Sequence, residues 1–87
     1  MPRRPDPVIR ALKRQLIDVL LRHIEQRYTR FDVPQSRIAG SLGISQPRLN
    51  ALLHRREALF SLDALIGLCG RFELEVRLRA VRPYAKD

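Results

Sequence analysis

Apolar residues recur every three or four positions in the first third of the chain, which predicts one long amphipathic helix. The apolar positions are Ile9, Leu12, Leu16, Val19, Leu20 and Ile24. The opposite face carries Arg10, Arg14, Asp18 and Arg22. Asp6 is the predicted N-cap, and Pro7 takes the first helical position, where its missing N–H costs no hydrogen bond. The helix is predicted to end near Tyr28, and residues 1–5 are predicted to be a disordered N-terminal arm.

Two shorter helices are marked by residues that begin or end helices. Pro34 begins the second helix, which is predicted to run to about Leu42. Gly43 then supplies the left-handed residue that a tight turn needs. Ser45 caps the third helix, which is predicted to end near His54.

The last part of the chain changes from a helical period to a period of two. Residues 55–60 are predicted to be a loop, and Ser61 to cap a fourth helix over residues 62–70. Apolar and charged residues then alternate, which predicts a half-exposed β-strand over residues 73–82, ended by Pro83. The alternating residues are Glu73, Leu74, Glu75, Val76, Arg77, Leu78 and Arg79. The sequence offers no second strand.

These elements predict a mainly α fold of four to five helices with one C-terminal strand. The chain has 87 residues, which predicts a single domain over residues 6–87 with a thin core. A single cysteine, Cys69, excludes an internal disulfide. No run of residues is long and apolar enough to span a membrane, so we expect a cytoplasmic protein. We find no catalytic motif, and we expect no metal and no cofactor.

The charge is strongly positive and is carried almost entirely by arginine. The sequence has 17 Lys and Arg against 9 Asp and Glu, a formal net charge of +8. Lys13 and Lys86 are the only lysines. Arginine favours forked contacts to phosphates and base edges. Aromatic residues make up 6% of the chain, which disfavours binding of single strands by base stacking.

Residues 35–54, QSRIAGSLGISQPRLNALLH, have the pattern of two short helices joined by a tight turn. Ala39 is small where the helices cross, and Gly43 lies in the turn. The inward positions are Ile38, Leu42, Ile44, Leu49 and Leu52. The polar residues predicted on the outer face of the second of these helices are Ser45, Gln46, Arg48 and Asn50. That face is the part of a recognition helix that enters the major groove of DNA.

This motif resembles the helix-turn-helix of Xre-type regulators, which have the lambda-repressor-like fold. The longer stretch GISQPRLNALLHRREALFSLDALIGL is similar to the branch that contains HigA-type antitoxins. The resemblance covers roughly residues 8–82. Pro34 departs from it, because the family usually has Ser or Thr at this cap.

The resemblance implies which residues contact DNA. Those implied to read bases are Gln46, Arg48, Asn50 and Ala51. Those implied to contact phosphates are Gln35, Arg37, Ser45, Arg55 and Arg56. Gln46 suits a bidentate pair with adenine, and Arg48 suits guanine or a phosphate. A solvated surface is the alternative for Arg48, Arg55 and Arg56. The stripe of Arg10, Arg14 and Arg22 on the first helix is expected to be a solvated face, and contact with a partner is its alternative.

A lone strand exposes unpaired N–H and C=O groups, so the strand is predicted to pair with a second copy of the chain. In an antiparallel register about Val76, Glu75 faces Arg77 of the partner copy and Glu73 faces the partner's Arg79. The prediction is a two-fold homodimer on an inverted-repeat operator. The alternative is an extended tail that packs back on its own helices.

The favoured function is that of a dimeric repressor that binds double-stranded DNA at its own promoter. Among such repressors, the favoured kind is the antitoxin of a type II toxin–antitoxin pair, whose partner is a small ribonuclease toxin. The positive charge argues against a basic toxin as partner. The alternatives are a stand-alone or phage-type regulator, and a protein-interaction module without DNA binding. RNA binding is disfavoured because the narrow A-form groove excludes the motif.

Overall fold

A computed structural model describes residues 6–28 and 33–80. Within these ranges the chain forms four α-helices and one short 3-10 helix, so the prediction of a mainly helical fold is confirmed. The α-helices are α1 Pro7–Tyr28, α2 Gln35–Leu42, α3 Gln46–Leu53 and α4 Leu62–Arg71, and the 3-10 helix is Glu57–Leu59. The predicted arm at residues 1–5 and the predicted strand end at residues 81–82 lie outside the described residues.

The long helix α1 has the predicted cap and the predicted bounds. The Asp6 carboxylate accepts hydrogen bonds from the backbone N–H groups of Val8, at 2.7 Å, and Ile9, at 3.3 Å. Ile17, Leu20 and Ile24 are buried on the inner face, and α1 packs mainly against α4 and the 3-10 helix. The side chains of Tyr28 and Ser41 lie 2.6 Å apart, so a hydrogen bond joins the end of α1 to α2.

The turn between α2 and α3 is closed by the backbone itself. Gly43 has a φ of 71°, in the left-handed region. Its N–H donates to the Gly40 carbonyl at 3.1 Å, and the Ile44 N–H donates to the Ala39 carbonyl at 3.0 Å. This pair of bonds is the Schellman motif, which satisfies carbonyls at the end of a helix. Ser45 then caps α3, because its hydroxyl oxygen accepts from the Arg48 N–H at 3.3 Å.

The core lies where the four α-helices meet. Its buried residues are Ile17, Leu20, Ile24, Ile38, Ala39, Leu42, Leu49, Leu52, Phe60, Leu65, Leu68 and Cys69. Four of the five inward positions predicted in the motif are in this set, and Ile44 is half-buried. Burial also raises the pKa of the Cys69 thiol, because the apolar core disfavours the charged thiolate.

Two further helix ends repeat the motif that closes α2, without glycine. Arg55 follows α3 with a φ of 56°, and Glu73 follows α4 with a φ of 58°. In each case the N–H groups of the left-handed residue and of the residue after it donate to carbonyls of the last turn. The outermost bonds run from the N–H of Arg56 to the carbonyl of Ala51 and from the N–H of Leu74 to the carbonyl of Cys69, both at 3.0 Å. The left-handed backbone takes Glu73 out of any strand, so the prediction that the strand begins there is wrong.

Residues 74–80 form no strand in the part of the chain that the structure describes. A strand is defined by hydrogen bonds to a neighbouring strand, and the described residues supply no second extended segment for pairing. The alternation of faces is nevertheless present. Leu74 and Val76 pack against the core, while Glu75 and Arg77 form an exposed ion pair at 3.0 Å. Within the single chain the segment therefore packs on the core through Leu74 and Val76, and its pairing with a second copy stays a prediction.

Candidate nucleic-acid interface

The outward face of α3 follows from the residues that the helix buries. Leu49 and Leu52 are fully buried, and at about 100° per residue the opposite direction falls near Pro47. The residues that share this outward face are Pro47, Asn50, Ala51 and His54. Gln46 lies at one edge of the face and is exposed. Gln46 and Asn50 are therefore exposed on the side of α3 where a recognition helix presents its side chains. Pro47, for which the sequence predicts no DNA contact, lies at the centre of this face.

Arg48 occupies a different position from the one predicted. It lies on the flank of α3, with its guanidinium carbon 4.4 Å from the centre of the Phe60 ring. Its Nη1 donates to the Leu59 carbonyl oxygen at 3.2 Å. A base contact by Arg48 requires the release of both contacts, so its part in base reading stays a prediction. In the structure its side chain holds the 3-10 helix against α3.

The N-terminus of α2 has the arrangement that binds phosphates. Pro34 precedes the helix, and proline offers no side-chain acceptor to the first N–H groups. Its carbonyl accepts from Arg37 at 3.0 Å and from Ile38 at 3.2 Å. Gln35 and Arg37 are exposed beside this end. A helix N-terminus attracts anions through its free N–H groups and its dipole, so both residues remain suited to the predicted phosphate contacts.

The residues around α3 that are predicted to contact phosphates differ in the contacts that they already make within the protein. The Ser45 hydroxyl oxygen caps the helix, which leaves its proton free to donate to a phosphate. Arg55 forms an ion pair with Asp18 of α1, and both side chains are more than half exposed. An exposed pair contributes little to stability, so Arg55 can exchange Asp18 for a phosphate. Arg56 is exposed beside the outward face of α3.

An ion-pair cluster joins the start of α1 to the 3-10 helix, and the sequence reasoning missed it. The Glu57 carboxylate accepts from Arg10 at 3.2 Å and from Arg14 at 2.9 Å. The hydrogen bond from Arg14 is the main cause that holds the pKa of Glu57 below its ordinary value, with Arg10 adding to it. Two cations expected on a solvated helix face are therefore engaged within the protein. No local signal marks this contact, because more than 40 residues separate the partners.

Both histidines contact backbone carbonyls of their own helices. The Nδ1 atoms of His23 and His54 lie 3.0 Å and 2.8 Å from the carbonyl oxygens of Val19 and Asn50, one turn earlier. Among residues 6–28 and 33–80, no cluster of three or more His, Cys, Asp or Glu is placed to hold a metal ion. None of the helices in these ranges is long and apolar enough to cross a membrane.

Two short helices at a tight turn, the second with an exposed polar face, define a helix-turn-helix protein of the DNA-binding class. The family model described as "Helix-turn-helix domain" matches residues 7–81. The match covers most of the chain, and the chain belongs to this family. A search of curated proteins and a search of solved structures each returned no match.

Proposed function

We propose that the protein is a sequence-specific transcriptional repressor that binds an inverted-repeat operator as a homodimer and regulates its own promoter. The arrangement around α3 is the observation that supports this function best. The outward face of α3 is exposed, Arg55 and Arg56 follow the C-terminal end of this helix, and no side chain caps the N-terminus of α2. Cations and helix N-termini beside a recognition helix fix its register on the phosphates, while its polar side chains read bases.

Gln46 and Asn50 are the residues that we assign to base reading. Each carries an amide that can pair with adenine N6 and N7 through two hydrogen bonds, and each such pair contributes about 1–3 kcal/mol of discrimination. Gln35, Arg37, Ser45, Arg55 and Arg56 bind phosphates in this proposal. Arg48 holds the 3-10 helix against α3 in this proposal, and a base contact requires its side chain to leave the Phe60 ring.

The dimer contact that we propose starts at Leu74 rather than Glu73. In an antiparallel register about Val76, Glu75 faces Arg77 of the partner copy. The two intrachain ion pairs between these residues, one in each copy, are then exchanged for two symmetric interchain pairs, so the charges set the register and add little energy. The main gain comes from backbone hydrogen bonds and from Leu78, which is 67% exposed in the single chain. The apolar face packs on the core, and among the residues that the structure describes the backbone of residues 75–80 makes no hydrogen bond, so it can form this pairing.

Within this function we favour the antitoxin of a type II pair, whose second partner is a small ribonuclease toxin. The similarity of residues 43–68 to HigA-type antitoxins supports it. A stand-alone or phage-type regulator is the competing candidate, and the net charge of +8 favours it because a basic toxin is repelled. Co-expression with the product of the neighbouring reading frame separates the two, because an antitoxin co-purifies with that product and relieves its toxicity.

The experiment that tests DNA reading is a fluorescence-anisotropy titration with the duplex upstream of the protein's own gene. It compares the wild type with the double variant Gln46→Ala/Asn50→Ala, on this duplex and on a random one, at about 50 and 200 mM salt. We expect tight wild-type binding that falls in the variant to the level of random DNA. Equal weak binding by both proteins to both duplexes leaves only charge attraction and contradicts the proposal.

The dimer is tested by light scattering of Val76→Pro, which removes an N–H from the proposed sheet. We expect a monomer, whereas the control Val76→Ala keeps the N–H and stays dimeric. A dimeric Val76→Pro protein contradicts pairing through this segment.

A further inference from the structure

A small groove lies on the outward face of α3, between this helix and the 3-10 helix. Its cavity volume is about 190 Å³. The groove is lined by Pro47, Asn50, Ala51, Arg56 and Leu59. Three of these side chains are apolar, one is an amide and one is a cation. The groove therefore presents an apolar surface beside a hydrogen-bonding group on the side of the protein that faces DNA.

Leu59 forms the wall of the groove opposite α3, and its side chain is 55% exposed. The short 3-10 helix that carries it is held in two places. Arg48 donates to the Leu59 carbonyl, and Glu57 is held by Arg10 and Arg14. The next residue, Phe60, is buried in the core. These contacts fix the backbone of Leu59 so that a large apolar side chain is kept at the surface.

We propose that this groove receives the 5-methyl group of a thymine in the major groove, with Leu59 and Ala51 as its apolar contacts. The proposal rests on the proposed function. An A·T pair presents N7, N6, O4 and the thymine methyl along its major-groove edge. Asn50 suits the adenine atoms, and the apolar wall suits the methyl. Arg56 at the rim is placed toward the backbone phosphates. The operator therefore contains an A·T pair, or neighbouring A and T, under this groove.

The methyl group can be removed without any other change by replacing thymine with deoxyuridine. A duplex is first selected from a randomised library with the wild-type protein. Each thymine is then replaced in turn, in both half-sites together, and the Kd is measured by anisotropy. Burial of one methyl group corresponds to about fourfold in Kd, and two half-sites to about 16-fold. We expect this loss at one symmetric thymine position for the wild type.

The variant Leu59→Ala identifies the groove as the site of the effect. Its ratio of Kd values for deoxyuridine and thymine is expected to fall toward one at that position. The control Val8→Ala shortens another exposed apolar side chain, 66% exposed on α1, and is expected to keep the wild-type ratio. A general loss of stability in Leu59→Ala changes both Kd values and leaves their ratio unchanged.

The outcomes separate this inference from the function on which it rests. Two outcomes contradict the groove as a thymine site and leave the repressor function standing. In one, no thymine replacement changes the Kd; in the other, Leu59→Ala keeps the wild-type ratio of Kd values for the deoxyuridine and thymine duplexes. A selection that enriches no sequence overturns the function, and the thymine site with it.

Discussion

The helix-turn-helix at residues 35–53 and the C-terminal segment at residues 74–80 both show clear sequence patterns, yet only the first forms regular structure within the described residues. The helices make their backbone hydrogen bonds within their own turns, and Gly43 and Ser45 bond the groups left at the turn. An extended segment needs a second segment for the same bonds. A pattern of apolar and polar residues therefore predicts which face is buried, whereas the available bonding partners decide whether the element forms.

The largest expected effect comes from shortening the same side chain in each region. Leu52 is fully buried on α3, and Leu74 is half-buried at the start of the segment. We expect Leu52→Ala to lower the free energy of unfolding by about 2–5 kcal/mol, through lost burial and a cavity. Leu74→Ala, which removes less buried surface, is expected to cost about 1 kcal/mol. Chemical denaturation measures both, and equal losses contradict a peripheral role for the segment.

The second prediction concerns the turn that makes the helix-turn-helix independent of distant partners. In Gly43→Ala, the left-handed backbone costs about 1–2 kcal/mol. The new methyl carbon also lies 3.1 Å from Nη2 of Arg71, which must shift. The control is Gly40→Ala, where the helix has open space around the added carbon.

Alanine stabilises a helix relative to glycine, so we expect Gly40→Ala to gain about 0.5–1 kcal/mol. Thermal unfolding of the two variants measures the difference. Changes of the same sign in both contradict the special role of the Gly43 backbone.

The sequence predicted the helices well because their signals are local. Asp6, Ser45 and Ser61 each cap the helix that they were expected to cap, and Gly43 closes the predicted turn. The exposure of Gln46 and Asn50 also follows from the helical period once the buried positions are known. These features depend on residues a few positions apart, which a single sequence contains.

The missed features depend on contacts between distant residues or on unusual backbone. Glu57 meets arginines from the far end of the chain, and Arg48 turns toward Phe60 because the 3-10 helix folds back on α3. Arg55 and Glu73 adopt a left-handed backbone that neither residue type favours. The role that we propose for Leu59 in the candidate interface follows only from the position of the 3-10 helix.

A smaller effect is expected where α4 meets the segment. Glu73 has a positive φ, and glycine adopts this conformation without the clash of a Cβ atom. Glycine relieves the strain of the folded backbone but also makes the unfolded chain more flexible, which offsets part of the gain. We therefore expect Glu73→Gly to raise the free energy of unfolding by about 0.5–1 kcal/mol. The control Glu75→Gly lies beyond the turn and is expected to bring no gain. Differential scanning calorimetry of both variants tests whether the turn stores this strain.

The smallest effect is expected from two sets of ion pairs, the Glu57 cluster beside the helix-turn-helix and the Glu75–Arg77 pair in the segment. Arg14 and Arg10 hold the pKa of Glu57 below its ordinary value, so the folded state favours the charged carboxylate. The resulting stability is present above the pKa of the unfolded chain and is lost as the pH falls through the folded pKa. Solvent screens this contribution because the arginines are exposed.

Glu57→Gln is therefore expected to weaken the fall of the unfolding midpoint on acidification from about pH 7 to pH 3, at low salt. The matched control is Glu75→Gln. Its partner Arg77 lies in the same segment, so this ion pair does not connect two elements of the fold. Its midpoint is expected to follow that of the wild type. If Glu75→Gln flattens the pH dependence as much as Glu57→Gln does, the ion pair of the segment is as important to the fold as the cluster that fixes the 3-10 helix.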